Sequence, residues 1–194
     1  DRGNCRVTGV DVNTYPEWPE RQSDSVRLVE VDLTEHAPFA PGSFDFIMSF
    51  AVLEHVRKPL AMLDAMFALL KPGGQVYLTA NLYRGPMASH RYREVFFPWP
   101  HLLFDDDVFM RFYKDRDGRR GVTPAWVNKL THLHYLNKVR ELGFEILKCT
   151  YSTRPFDEDF YECFAEELGR YPREDLEKDF INLRLRKPEG RILC

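Results

Sequence analysis

No stretch of this sequence approaches the ~20 consecutive apolar residues a membrane-spanning helix requires, so no membrane partner is expected. Cysteine is sparse: Cys5, Cys149, Cys163 and Cys194 never fall in Cys-x-x-Cys spacing. That excludes the usual zinc and disulfide frameworks, points to no metal site, and suits a reducing compartment such as the cytoplasm. The opening Asp1-Arg2-Gly3-Asn4 lacks the basic region and apolar run of a secretion signal, and there are no internal repeats or low-complexity tracts. An excess of one charge is lacking too. The net charge of -3 offers no electrostatic basis for binding nucleic acid, and the basic group Arg116, Arg119, Arg120 is broken by Asp115 and Asp117, as in a solvated loop. Finally, there is no phosphate-loop or dinucleotide-type glycine cluster, since Gly3 and Gly9 do not make a Gly-x-Gly-x-Gly.

What remains is 194 residues, 44% hydrophobic and 29% charged, enough for one α/β domain with a single core. Strand-like and helix-like segments alternate, which implies a mostly parallel sheet covered on both faces. Strands are expected at Arg6–Asp11, Val26–Asp32, Phe44–Phe50 and Gln75–Ala80, the third being apolar enough to be buried on both faces. A helix over Pro59–Leu70 starts on proline and stops before Gly73-Gly74. Residues 81–122 read as a long irregular insertion. Thr123 before Pro124 predicts a helix N-cap, the helix running to about Leu142 and stopping at Gly143. Phe144–Tyr151 is a strand and Asp157 to about Leu168 a helix. Phe180–Lys187 alternates Ile181, Leu183 and Leu185 with Asn182, Arg184 and Arg186, as in an antiparallel strand near a sheet edge.

Two successive strands end in aspartate, Asp11 and Asp32, and in doubly wound sheets ligands sit beyond the carboxyl ends of the strands. A carboxylate there accepts hydrogen bonds from both hydroxyls of a ribose, and the next strand end faces an adenine amine. Phe44-Asp45-Phe46-Ile47-Met48-Ser49-Phe50-Ala51-Val52-Leu53-Glu54-His55-Val56 follows, and then Leu69-Leu70-Lys71-Pro72-Gly73-Gly74. Together these segments resemble the class I S-adenosylmethionine-dependent methyltransferases, especially the broad group that methylates small molecules and sugars. The similarity is specific from about Val7 to Ala80 and continues in pattern to Lys187. It implies a Rossmann-like, doubly wound, mostly parallel sheet with a terminal antiparallel strand, S-adenosylmethionine as cofactor, and methylation of a small-molecule or sugar acceptor. Asp11 would hold the ribose, Asp32 with the backbone of Leu33 the adenine, and Phe50 with Ala51 would lie near the sulfonium. Their bland readings are a turn cap for Asp11, a helix start for Asp32 and a core side chain for Phe50.

In nucleotide-binding folds the acidic residue follows the glycine fingerprint by ~20 residues, which places that fingerprint, with the family's central first strand, before Asp1. The expectation is a chain whose upstream part is not included, the alternative being a natural variant with a re-closed sheet.

Methyl transfer needs alignment and water exclusion, and a base only where the nucleophile holds its proton tightly. His55, after the fourth strand of the family, is either that base or a polar cap for the next helix. In the 81–122 insertion, a substrate-side lid, His90, Tyr92 and Glu94 are the candidate acceptor contacts, with His90 a second candidate base. Phe96, Phe97 and Trp99 either anchor that segment to the core or form a homodimer contact. His132 and His134, two apart on one helix, cannot make an i, i+4 metal pair and are expected to be structural. The rival functions are a catalytically inactive methyltransferase-like scaffold and an NAD-dependent oxidoreductase.

Overall fold

The computed structural model describes residues 5–91, 95–117 and 126–190, which divide into two compact units, Asp1–Ala40 and Pro41–Cys194. In the first unit, strands β1 (Val7–Asp11) and β2 (Val26–Glu30) pair in parallel, Val7 opposite Val26 and Asp11 opposite Glu30. The short helix α1 (Trp18–Arg21) links them. Asp11 closes β1 as expected. Asp32 lies two residues beyond β2, because its Oδ1 accepts hydrogen bonds from the Thr34 amide (2.8 Å) and hydroxyl (2.7 Å), turning the chain off the strand direction.

The second unit is a four-stranded sheet in the order β3-β4-β6-β5. β3 (Phe44–Phe50) and β4 (Leu70–Asn81) are parallel, while β6 (Lys178–Arg186) runs antiparallel to both β4 and β5 (Glu145–Thr153). Helix α2 (Pro59–Leu69) begins on its proline and ends where Leu70 turns extended. The chain then enters β4 at once, and Lys71–Gly74 are absorbed as a register shift opposite Phe44 and Phe46. Gly74 is needed there, since a Cβ would stand 2.9 Å from the Lys71 carbonyl and 3.1 Å from that of Asp45.

One face of this sheet packs Val76, Leu78, Ala80, Ile181, Leu183 and Leu185 against Leu63 and Met66 of α2 and Tyr135, Leu136 and Val139 of α5 (His132–Glu141). The opposite face is open. Phe46, Met48 and Phe50 are 54%, 69% and 67% exposed, so β3 is not buried on both faces as its apolar run suggested. β6 also departs from expectation: it is antiparallel but lies between β4 and β5, away from the edge. Its alternation marks one wet sheet face, with Arg184 bonded to Gln75 across that face.

The described part of the 81–122 segment carries helices α3 (Pro100–Leu103) and α4 (Asp106–Asp117). Helix α5 starts on Thr131, which with His134 forms a capping box. Thr123 and Pro124 lie outside the described residues. The expected earlier start fails because residues 126–130 spend their polar groups on the chain after β3: the Asn128 amide donates to the Glu54 carbonyl (2.7 Å) and its side chain to the Leu53 carbonyl (2.7 Å). The expected helix near the end is broken at Phe164 into α6 (Glu158–Cys163, capped by Asp157) and α7 (Ala165–Leu168); α8 (Arg173–Glu177) leads into β6. Among the described residues no helix is long and apolar enough to cross a membrane.

Candidate functional site

The carboxyl ends of the parallel strands β3 and β4 converge on one group of side chains. Beyond β3 the chain turns sharply at Ala51, held at φ +50° by its amide donating to the Thr79 carbonyl (3.2 Å) and hydroxyl (3.1 Å). A left-handed non-glycine residue costs about 1–2 kcal/mol, and such strain concentrates at functional sites. A single 3-10 turn, Leu53–His55, follows. It buries Leu53 and Glu54 completely and leaves His55 exposed, with His55 Nδ1 3.0 Å from the Trp126 carbonyl. A carbonyl only accepts, so Nδ1 carries the hydrogen.

Beyond β4 the chain is pinned by Asp179, itself buried at the start of β6. Asn81 Nδ2 donates to the Asp179 carbonyl (2.8 Å) and carboxylate (3.2 Å), and the Leu82 and Met87 amides donate to the same two groups. This anchoring delivers half-buried His90, itself at φ +54°, edge-to-face against His55 with ring centroids 4.7 Å apart. The structure thus brings together the two histidines expected as bases. It adds Glu54, whose carboxylate lies within 4.8 Å of a nitrogen of each. Burial, the larger influence, and the His55 ring both push the His90 imidazole down; the Asp179 carboxylate opposes them. Burial pushes the Glu54 carboxyl up.

Tyr92 and Glu94 lie outside the described residues. Phe50 points from the exposed side of β3, and Ala51 is the turn just described. In the first unit, Asp11 Oδ1 accepts from the Asn13 amide (2.9 Å) and Oδ2 from the Tyr15 hydroxyl (3.3 Å). Asp11 and Asp32 are therefore both turn-capping groups. Each carboxylate oxygen accepts more than one hydrogen bond, so a ribose or adenine partner remains compatible with these contacts. Leu33 is half-buried beside Asp32.

Three further groups bear on open readings. Trp99 is 1% exposed and donates to the Leu176 carbonyl (2.9 Å), and Phe97 stacks on Phe160 at 5.5 Å, so both anchor the 81–122 segment. Phe96 is 88% exposed and anchors nothing. His134 closes the cap of α5, and His132 joins Asp175 (3.2 Å) in a network with Arg84 and Lys178 while lying with Glu174 and Asp175 in one cluster of close ligand-type atoms. A cavity of about 490 Å3 on the open sheet face is lined by Phe46, Tyr77, Asn182 and Arg184 and holds none of the expected site residues.

Residues 1–78 match the methyltransferase domain family. That stretch of the chain is thus similar to a methyltransferase domain, as the resemblance read in its sequence implied. The chain is 30% identical over 92 residues to a ubiquinone biosynthesis O-methyltransferase of Aeromonas salmonicida, covering 45% of this chain and 38% of that protein. The Pseudomonas aeruginosa enzyme of the same name is 36% identical over 89 residues, covering 43% and 38%. The match thus spans well under half the length of these relatives.

Among solved structures, the [4+2]-cyclase SpnF superposes with a TM-score of 0.55 at 18% identity, covering 96% of this chain and 67% of that one. The Burkholderia thailandensis 1,6-didemethyltoxoflavin N1-methyltransferase, with bound 1,6-didemethyltoxoflavin and S-adenosylhomocysteine, gives 0.52 at 17% identity, covering 95% and 62%. These likenesses establish the methyltransferase fold. Within it, Glu54 is the group the sequence pattern did not single out. Its one signal is a charge set in the apolar run Ala51-Val52-Leu53.

Proposed function

We propose that this methyltransferase transfers a methyl group to a hydroxyl of a small molecule, a phenol or a sugar, with His90 as the general base. S-adenosylmethionine supplies an electrophilic methyl on a sulfonium. Asp11 would hold its ribose hydroxyls, Asp32 and the Leu33 backbone its adenine, and Phe50 and Ala51 the region of its sulfur. The observation that carries the reading is the meeting of His55 and His90, 4.7 Å apart, beyond the carboxyl ends of β3 and β4, where ligands of such sheets are held. An aliphatic or sugar hydroxyl keeps its proton at neutral pH and needs a base as it attacks. The His90 imidazole is neutral there because burial lowers its basicity. The O-methyltransferase relatives favour oxygen over nitrogen as the methylated atom. The 81–122 segment, tied down by Trp99 and Phe97, would shape the acceptor side and exclude water.

The test uses the natural full-length protein, with S-adenosylhomocysteine and NAD titrated in parallel and labelled methyl transfer scored on a panel of phenols and sugars. The expected result is binding of S-adenosylhomocysteine and not NAD, with His90→Ala lowering turnover by about 100-fold or more while S-adenosylhomocysteine affinity holds. Binding of neither compound would favour a scaffold that keeps the fold without catalysis, and binding of NAD alone an oxidoreductase. Unchanged turnover in His90→Ala would remove the base.

A further inference from the structure

Glu54 is 1% exposed, and no side chain bonds its carboxyl oxygens; the backbones of Glu54 itself and of Asn81 are the polar groups that favour its charged form. A carboxylate taken out of water with so little compensation is costly to keep, so its contacts do not explain it as a stabilising group. What surrounds it is specific. One oxygen of Glu54, one nitrogen of His55 and one of His90 all lie within 4.8 Å of one another. The three are graded in access: His90 is half-buried in the segment after β4, Glu54 is buried in the 3-10 turn, and His55 in the same turn is exposed. From α5 the Tyr135 hydroxyl faces Glu54, and burial holds that phenol protonated, its pKa raised. The Asn81 backbone faces it from the end of β4, and Asn128 bonds the backbone of Leu53 and Glu54. Asp179, at the start of β6, acts on His90.

We propose that Glu54 is the positioning carboxylate of a three-group proton relay, His90 to Glu54 to His55, that carries the acceptor's proton from the site to water. The proposal rests on the reading of His90 as base. As the acceptor attacks, its O–H bond breaks and an N–H bond forms on His90. The oxygen's electron pair makes the new O–C bond, and the electrons of the breaking C–S bond stay on sulfur. The imidazolium so formed is stabilised by the Glu54 carboxylate beside it. The proton then moves from nitrogen to the Glu54 oxygen, from there to His55, and from His55 to solvent. This restores a neutral His90 and an unprotonated Glu54. The buried carboxylate is tolerable because the site cycles a positive charge past it, and the burial that raises Glu54 and lowers His90 brings the two groups' proton affinities closer together.

The experiment follows the ring nitrogens of His55 and His90 by NMR in the natural full-length protein, from about pH 5 to about pH 9, in wild type, Glu54→Gln and Glu54→Asp. In wild type each histidine should show an inflection from the other, as coupled groups do. In Glu54→Gln the direct coupling of the two rings should remain while His90 titrates at a pH lower by about 0.5–1 unit, and Glu54→Asp should restore part of that difference. Folding is checked by circular dichroism; Glu54→Gln should be as stable as wild type or more so, since an amide buries no charge. Turnover in Glu54→Gln should fall about 10–100-fold with KM unchanged.

Histidine titrations that superimpose in wild type and Glu54→Gln would overturn the relay. So would stoichiometric Mn2+ that broadens both histidines in wild type and neither in Glu54→Gln, since the cluster would then hold a cation. If Glu54→Gln does not fold, the wild-type titration and the Mn2+ measurement decide alone. A silent Glu54→Gln beside an impaired His90→Ala sinks only the relay. A silent His90→Ala sinks the base reading beneath it.

Discussion

His101 carries the largest histidine shift in the molecule. Its Nε2 donates to the Tyr83 carbonyl, its Nδ1 is buried with no partner, and burial pulls the imidazole down to about 4 from an ordinary 6.5. The folded form therefore refuses a proton that the unfolded chain accepts. The stability this confers is full above the unfolded value and is lost as pH falls from about 6.5 through about 4, amounting to up to about 3 kcal/mol. His101→Phe should flatten that acid limb of a chemical-denaturation series; an unchanged limb would place the loss on other groups. At this scale the legible residues were those whose neighbours announce them. Asp11 ends an apolar strand, and His55 sits in a recognisable Leu-Glu-His-Val. Glu54 was not legible, since nothing in a one-turn 3-10 segment says which of two adjacent polar residues turns inward. Here it is the glutamate that is buried and the histidine that is exposed, the reverse of what desolvation cost alone would choose.

The element that decides where His90 sits is the start of β6, through Asp179. Its carboxylate takes hydrogen bonds from Asn81, the Met87 amide and Arg154. Asp179→Ala would strand the buried Asn81 side-chain amide and the Met87 N–H, at about 2–4 kcal/mol, and unpin the segment leading to His90. Urea denaturation should report the loss, and hydrogen exchange should show the Met87 amide opening while the β4–β6 ladder stays protected. Equal protection at Met87 would mean the segment is held by other contacts. Elements built on one dominant signal were readable to the residue. The apolar run Phe44–Phe50 is β3, and Pro59 opens α2. Others depended on partners distant in sequence. The start of α5 is set by Asn128 bonding to Leu53 and Glu54. The alternation in Phe180–Lys187 reports a wet face, which an interior strand of a one-sided sheet has as fully as an edge strand.

At the scale of the whole molecule the two units differ in what holds them. Among the described residues every buried apolar side chain lies in the second unit, from Leu53 onward, whereas no residue from 5 to 40 is buried. Two paired strands without a buried face are marginal in water, so the β1 and β2 amides should exchange far faster than those of β4 and β6. Ligand binding is where this asymmetry becomes informative. If Asp11 and Asp32 hold the adenosine half of the cofactor, S-adenosylhomocysteine at about 100 times its dissociation constant should stabilise the bound segments by about 2.7 kcal/mol, a ~100-fold slowing of exchange. The slowing should be greatest at Asn13 and Thr34, whose amides already bond to those two carboxylates. Asp11→Asn and Asp32→Asn should each reduce it locally, because an amide offers one acceptor oxygen where a carboxylate offers two. Slowing confined to residues 41–190 would instead assign binding to the second unit alone, and the two acidic strand ends would revert to caps of the turns they now close.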